Sequence, residues 1–291
     1  MFHFSEAVVL GTTQLTLQIA AFLRDKGLPV HICEFNASKL EGRCALHQIP
    51  YHSFDREAMT QFLLGRAALS SKNILIVSAA NIYLFPSALI QLPNVFIINY
   101  HNALLPLHRG MNAEAWCIFQ EDKLGGITWH RVNEGIDKGE IFAQESFPLG
   151  TQDTSLSLLR KQSQAAFDAF QSIAPQLLEG RISGRAQASG GSYHSIREIP
   201  GNGRLDLQWP GHQVSAFLRA LDYGAMRTLG TPKLTLEGQT FQWSRYQILP
   251  DPQTPDNFSI QGSQADLWKD GLHFIFKGFS PLQNQDDGES M

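Results

Sequence analysis

Apolar residues along this chain come in short runs separated by amphipathic stretches. Residues 7–10 (AVVL) form an apolar run that ends at Gly11-Thr12-Thr13, which reads as a buried strand leading into a helix over residues 13–26. Residues 30–34 read as a second strand, 39–48 as a second helix, 73–78 (NILIVS) as a third strand and 95–100 (VFIINY) as a fourth. Strands that are apolar throughout, rather than alternating, belong in a sheet covered on both faces. The pattern therefore predicts an α/β fold: a Rossmann-like, mostly parallel sheet with helices on both faces. Such sheets bind ligands beyond the C-terminal ends of their strands, and Asn99 and His101 stand at the end of the fourth.

Further along, residues 112–120 read as a helix and 126–132 and 141–147 as strands. Residues 154–178 read as a long amphipathic helix with Leu156, Leu159, Phe167, Phe170 and Ile173 among its apolar positions. The stretch SGRAQASGGS, residues 183–192, is small and polar and reads as a linker. The chain is thus expected to divide into a catalytic domain at 1–182, a linker at 183–199 and a smaller β-rich C-terminal domain at 200–291. The last domain carries a helix near 212–221 and short alternating runs such as PKLTLEG, TFQWSRYQIL and LHFIFKGF. The tail QNQDDGESM is expected to fray.

A chain of 291 residues suits one large and one small domain. With 43% hydrophobic and 17% charged residues it has the composition of a soluble globular protein. A net charge of −4 argues against a broad nucleic-acid surface. Cys33, Cys44 and Cys117 are odd in number and lack metal-binding spacing, as expected of reduced thiols in a cytoplasmic protein. No apolar run is long enough to span a bilayer, and the start MFHFSEAVVLGTT lacks the pattern of a signal peptide. The turn GTTQ at residues 11–14 is not G-x-G-x-x-G, so a structural strand-to-helix turn is favoured over dinucleotide binding.

The chemistry concentrates in residues 96–141, where Asn99, His101 and Asp137 are separated by LLPLHRG and two glycine-rich turns. An imidazole moves protons near neutral pH, an amide N–H stabilises an oxyanion, and a carboxylate orients the imidazole. Taken singly, each residue has an ordinary role open to it: a turn histidine, a strand-end asparagine, a turn aspartate. Thr128 and His130 share a strand face by the two-residue period, which would set His130 beside the three. A metal site from His101, His108 and His130 has no supporting spacing, so no metal is expected. For Arg109, fixing its loop and contacting a substrate anion both stay open.

Four motifs in order resemble one family, the formyltransferases that use 10-formyltetrahydrofolate. They are Asn99-Tyr100-His101, Leu104-Leu105-Pro106-Leu107-His108-Arg109-Gly110, Gly126-Ile127-Thr128-Trp129-His130 and Asp137-Lys138-Gly139. The resemblance covers most of residues 1–180 and, more loosely, 200–250. It implies Asn99, His101 and Asp137 as catalytic residues and 10-formyltetrahydrofolate as the formyl donor, without a metal. It also implies a pterin slot between residues 81–84 and 132–137, with Ile82, Tyr83, Leu84, Val132 and Gly135 as its contacts. Arg109, Thr128, His130, Trp116 and Tyr100 follow as candidates around the acceptor.

The pattern departs from many family members at Ala113, where they carry Pro, and at Ala103, where they carry Ser. The segments Asn112–Trp116, Gly126–His130 and Ala220–Gly224 look more like the formylation domains of peptide synthetases and natural-product enzymes. Residues 181–291 hold ten Lys+Arg against eleven Asp+Glu, a poor surface for gripping tRNA. The acceptor amine expected first is therefore an aminoacyl group on a carrier protein or a small metabolite. A nucleotide-linked amino sugar follows, then methionyl-tRNA. A hydrolase releasing formate and a non-catalytic folate-binding protein are the other readings, and a homodimer is compatible with all of them.

Overall fold

The computed structural model describes residues 4–70 and 73–282. In chain order the first elements are β1 (Phe4–Leu10), α1 (Gln14–Asp25), β2 (Val30–Phe35), α2 (Glu41–Leu46) and β3 (Tyr51–Phe54). Then come α3 (Arg56–Leu69), β4 (Asn73–Ser78), α4 (Ser87–Ile90), β5 (Val95–His101) and the two-residue β6 (Arg109–Gly110). They are followed by α5 (Ala113–Phe119), β7 (Leu124–Arg131), β8 (Ile141–Pro148) and α6 (Ser155–Leu178). The chain forms two compact units; the first comprises Met1–Gly110, Leu124–Phe147 and Arg160–Tyr193.

The first unit is built on a seven-stranded sheet in the order β3-β2-β1-β4-β5-β7-β8. Strands β1 to β5 run parallel, and β7 pairs antiparallel with β5. This is the expected α/β sheet. The two-residue period of β1 sends Ala7 and Val9 into one core and Val8 and Leu10 into the other, so both faces are covered. The first core takes Ala166, Phe170 and Leu177 from α6, and the second takes Met59 and Leu63 from α3. Strand β3 and helix α3 go beyond the expected elements. The run YHSF is short and half polar, and α3 is started by Asp55, whose carboxylate accepts the Ala58 N–H at 2.9 Å.

Gly11 closes β1 so tightly that a Cβ there would lie 1.9 Å from the Ala79 carbonyl oxygen, and the Thr16 hydroxyl donates to that oxygen at 3.0 Å. The GTTQ turn is therefore a structural joint between β1, α1 and the end of β4. Trp129 on β7 is fully buried, donates its indole N–H to the Ala166 carbonyl on α6 at 2.9 Å and packs against Phe170.

The expected linker is corrected. Most of its side chains are small, but its backbone is not free. Arg185 and Ile141 exchange two backbone hydrogen bonds of 2.8 and 2.9 Å, and the Ser192 carbonyl accepts the Arg109 N–H at 3.0 Å. Small residues let this segment lie against the first unit, whose contacts extend to Tyr193. The expected boundary at 182 is corrected with it. Residues 111–123 and 148–159, read as catalytic-domain sequence, cluster instead with the residues from His194 onward.

That second unit follows β9 (Tyr193–His194). It contains β10 (Arg204–Leu205), α7 (Gly211–Ala220), β11 (Lys233–Leu236), β12 (Gln239–Gln242) and β13 (Arg245–Pro250). It ends with β14 (Asn257–Gln261), β15 (Gln264–Lys269), β16 (Leu272–Lys277) and β17 (Ser280–Pro281). Two four-stranded sheets, β10-β11-β12-β17 and β13-β16-β15-β14, make it β-rich as expected. The tail beyond residue 282 lies outside the described residues. Among the described residues no helix is long and apolar enough to cross a membrane.

Trp129→Ala removes the largest side chain of the first core together with its hydrogen bond to α6. The variant should lose about 3–5 kcal/mol in a urea unfolding experiment. A loss below about 1 kcal/mol would show that β7 and α6 do not depend on this contact.

Candidate active site

The antiparallel ladder between β5 and β7 sets Asn99 opposite His130 and His101 opposite Thr128. Residues directly opposite on one face have side chains within reach of one another. Asn99 and His130 meet there, with the amide nitrogen 3.1 Å from His130 Nε2.

Asp137 enters from the turn between β7 and β8. It adopts φ 51°, and Gly139 beside it lies so close to Arg131 that a Cβ would come within 1.7 Å of that carbonyl oxygen. The turn brings the carboxylate between the two imidazoles. Oδ2 lies 3.5 Å from His101 Nδ1 and accepts the Gly110 N–H at 2.8 Å. Oδ1 lies 3.3 Å from His130 Nε2 and 3.4 Å from the Asn99 amide nitrogen.

Neighbouring carbonyls assign the protons. His101 Nε2 is 2.8 Å from the His108 carbonyl oxygen, which can only accept, so Nε2 carries a hydrogen and Nδ1 is the lone-pair nitrogen in the neutral ring. By the same reasoning His130 donates from Nδ1 to the Arg131 carbonyl at 2.9 Å, and its Nε2 accepts from Asn99. Burial pushes the His101 pKa below its ordinary value, against the raising effect of Asp137. Burial alone would raise Asp137. The charges of His101 and His130 in their protonated forms, with the Gly110 N–H, outweigh it and hold the carboxyl at about 2.

The structure brings Asn99, His101, His130 and Asp137 together and places the other expected residues as follows. Thr128 is fully buried and ties down a loop: its hydroxyl donates to the Ala103 carbonyl at 2.7 Å and accepts the Leu105 N–H at 3.2 Å. Tyr100 is corrected; it faces the opposite side of β5, packing against the core near Trp129. Tyr83 is corrected as a side-chain contact, because its ring is 3% exposed and packs on Phe35, while Ile82 and Leu84 are 60% and 56% exposed. Val132 packs against the same core as Tyr83, and Gly135 accepts the Lys138 N–H in the turn. Trp116 belongs to the second unit, where it stacks on His194 with ring centroids 4.1 Å apart.

Arg109 fixes its loop. Its guanidinium bonds Gln187 Oε1 at 3.0 Å through Nη2 and the Gly190 carbonyl at 3.3 Å. Gln187 also donates to the carbonyls of Asp137 and Gly139, at 2.7 and 2.8 Å. Neither Gln187 nor the His108 carbonyl was among the expected site residues. Nothing in a run of small polar residues distinguishes one amide, and a carbonyl carries no side-chain signal.

The sequence profile of the formyl transferase family matches residues 8–173, more than half of the chain. The GDP-perosamine N-formyltransferase of Brucella melitensis biotype 1 is 33% identical over 138 residues, 47% of this chain and 52% of that protein. The chain thus spans about half the length of the curated relatives it matches. Among solved structures, WlaRD, a sugar 3N-formyl transferase determined in the presence of dTDP and 5-N-formyl-THF, shares the fold with a TM-score of 0.72 at 15% identity. That likeness covers 97% of this chain and 99% of that one. An N-formyltransferase from Helicobacter canadensis in complex with folinic acid and dTDP-3-aminofucose gives a TM-score of 0.73 at 15% identity, over 95% of this chain and 99% of that one.

Because the fold lowers the Asp137 pKa, its ionised carboxylate stabilises the native state above the ordinary carboxyl pKa. That stability disappears as pH falls toward about 2. Asp137→Asn should flatten the loss of the urea midpoint between about pH 5 and pH 2. A slope equal to that of the parent chain would exclude Asp137 as the shifted group.

Proposed function

The chain belongs to the formyl transferase family, and on that basis we propose that it transfers a formyl group from 10-formyltetrahydrofolate to the primary amine of a nucleotide-linked amino sugar. The observation that carries this reading is one buried carboxylate between two imidazoles whose tautomers are set by backbone carbonyls. Such an arrangement can take a proton from an amine and deliver it elsewhere.

The donor fits the residues present. Ile82, Leu84 and Ile136 are aliphatic and 41–60% exposed, on the loop after β4 and in the Asp137 turn. Gln91, just past α4, donates to Glu134 at 2.8 Å and so ties the end of α4 to the segment before the Asp137 turn. These side chains would pack on the faces of a flat ring such as pterin, whose polar edge would bond backbone groups, with Tyr83 contributing backbone only. Bound 10-formyltetrahydrofolate supplies the formyl carbon.

Asn99 would donate to the formyl oxygen as negative charge develops there. Its hydrogen on the long 3.4 Å contact to Asp137 is the weaker commitment, and the oxyanion would take it over. One such donor is worth about 2.7–4 kcal/mol in acyl transfer. His101 accepts the attacking amine's proton at Nδ1, facing Asp137, and returns it to the departing folate nitrogen. The C–N bond to that nitrogen breaks, and no proton is gained or lost overall. Arg109 is committed to its own loop, so an acceptor phosphate is assigned to other groups.

The acceptor order expected from the sequence is revised. The 33% identical relative and the fold neighbours described above carry the names of sugar N-formyltransferases, which favours a sugar amine over a carrier-bound aminoacyl group.

His101→Ala should lower kcat by about 10²–10⁴ while 5-formyltetrahydrofolate still binds in calorimetry. Full activity in that variant would sink the mechanism. Neutral His101 is the working form, so kcat/KM should rise with pH through a pKa below the ordinary histidine value of about 6.5. A limb above that value would point to a different base. Mass spectrometry with GDP- and dTDP-linked amino sugars, carrier-bound aminoacyl groups and no acceptor tests the substrate class. A formamide on a sugar supports the proposal; free formate alone overturns it in favour of hydrolysis.

A further inference from the structure

Gln187 sits in the segment of small residues that the sequence marks as a linker, yet its amide makes four hydrogen bonds. Nε2 donates to the carbonyls of Asp137 and Gly139, at 2.7 and 2.8 Å. Oε1 accepts from Arg109 Nη2 at 3.0 Å and Nε at 3.4 Å. The amide is thereby saturated on two different loops. One is the Asp137 turn. The other is the loop whose His108 carbonyl sets the tautomer of His101.

The rest of the segment grips the same loop. The Ser192 hydroxyl accepts the His108 N–H at 2.8 Å, and the Ser192 carbonyl accepts the Arg109 N–H at 3.0 Å. Gly191 lies so close to Pro106 that a Cβ would come within 2.0 Å of its carbonyl oxygen. The Asp137 turn itself needs holding. A non-glycine residue at φ 51° is in a sparsely populated conformation that persists only where its surroundings impose it. Gln187 bonds the carbonyls of Asp137 and Gly139, one on each side of Lys138.

We infer that Gln187 is a positioning residue: it clamps the Asp137 turn to the Arg109 loop and so sets the distance between the Asp137 carboxylate and His101. The kinetic part of this inference rests on the formyl-transfer reading; the structural part does not. The titratable groups that face His101 are Asp137 from its turn, His130 from β7 and His108 from the loop, with Arg109 held by Gln187 itself. The Asp137 charge and the hydrogen bond to the His108 carbonyl both raise the His101 pKa, and each sits on a loop that Gln187 holds, so loosening the clamp should lower that pKa further.

Gln187→Met keeps the length and loses the amide. It should reduce kcat about 10–100-fold, as a misplacement near 1 Å does, with KM for both substrates within about twofold. The acid limb of kcat/KM should move to lower pH. The His101 imidazole, followed by NMR in the unliganded chain and assigned by its absence in His101→Ala, should titrate lower than in the parent. A merely structural stitch would lower the melting temperature and leave both pH readouts in place. Unchanged kcat with an unmoved titration overturns the inference. If Gln187→Met does not fold, Gln187→Glu keeps a partner for Arg109 without the two donor bonds, and its kcat carries the test. If the parent chain transfers no formyl group at all, the functional reading falls, while the His101 titration still decides the clamp.

Discussion

The site depends on one constraint, the register of β5 against β7. Side chains on a strand alternate with a period of two, so slipping β7 by one residue against β5 would send Thr128 and His130 toward the core and turn Trp129 toward the site. The register is held from behind. Trp129 is buried against α6 and hydrogen-bonded to the Ala166 carbonyl, and its face of β7 cannot turn outward without exposing the largest side chain of the core. Polar chemistry on one face is thus secured by apolar packing on the other.

With that face set, the carboxylate is brought in by a turn rather than by a strand. Asp137 reaches the imidazoles because the backbone at 137–139 folds back on Arg131. Two donors converge on it, a backbone N–H from Gly110 and the Asn99 amide, and the charges of the protonated imidazoles beside it act in the same direction. Burying a carboxylate is costly unless such donors compensate. Here the compensation exceeds the cost, which keeps the group ionised. His101 has the reverse balance, since burial disfavours its charged form and the pair leaves a neutral nitrogen facing an anion. That polarity suits the proton uptake and release proposed for His101.

The division of labour among the surrounding residues is less obvious from their types than from their positions. Thr128, directly opposite His101, spends its hydroxyl on the loop at 103–105. Arg109 spends its guanidinium on Gln187 and Gly190. Polar residues next to a reactive cluster serve here mainly to hold loops, because each loop carries backbone groups that must be satisfied. The groups left for the proposed chemistry are correspondingly few.

Local pattern determined a good deal. Apolar strands such as NILIVS and VFIINY announced a two-sided sheet, and their ends located Asn99 and His101, because a short run apolar on both faces suits a strand covered on both sides. The two-residue period also put Thr128 and His130 on one face, as the ladder shows. Tertiary structure alone decided which loops close the site. The stretch at 183–192 has the composition of a linker, and composition reports how freely a backbone can move, not what it pairs with once folded. Its hydrogen bonds to residues some fifty to eighty positions earlier, such as those of Gln187 to Asp137 and Arg109, leave no periodicity in the sequence. Tyr83 and Tyr100 show the same limit for side chains. An aromatic residue beside a reactive one can face a ligand or the core, and only the packing of Phe35 against Tyr83 and of Trp129 near Tyr100 settles the direction.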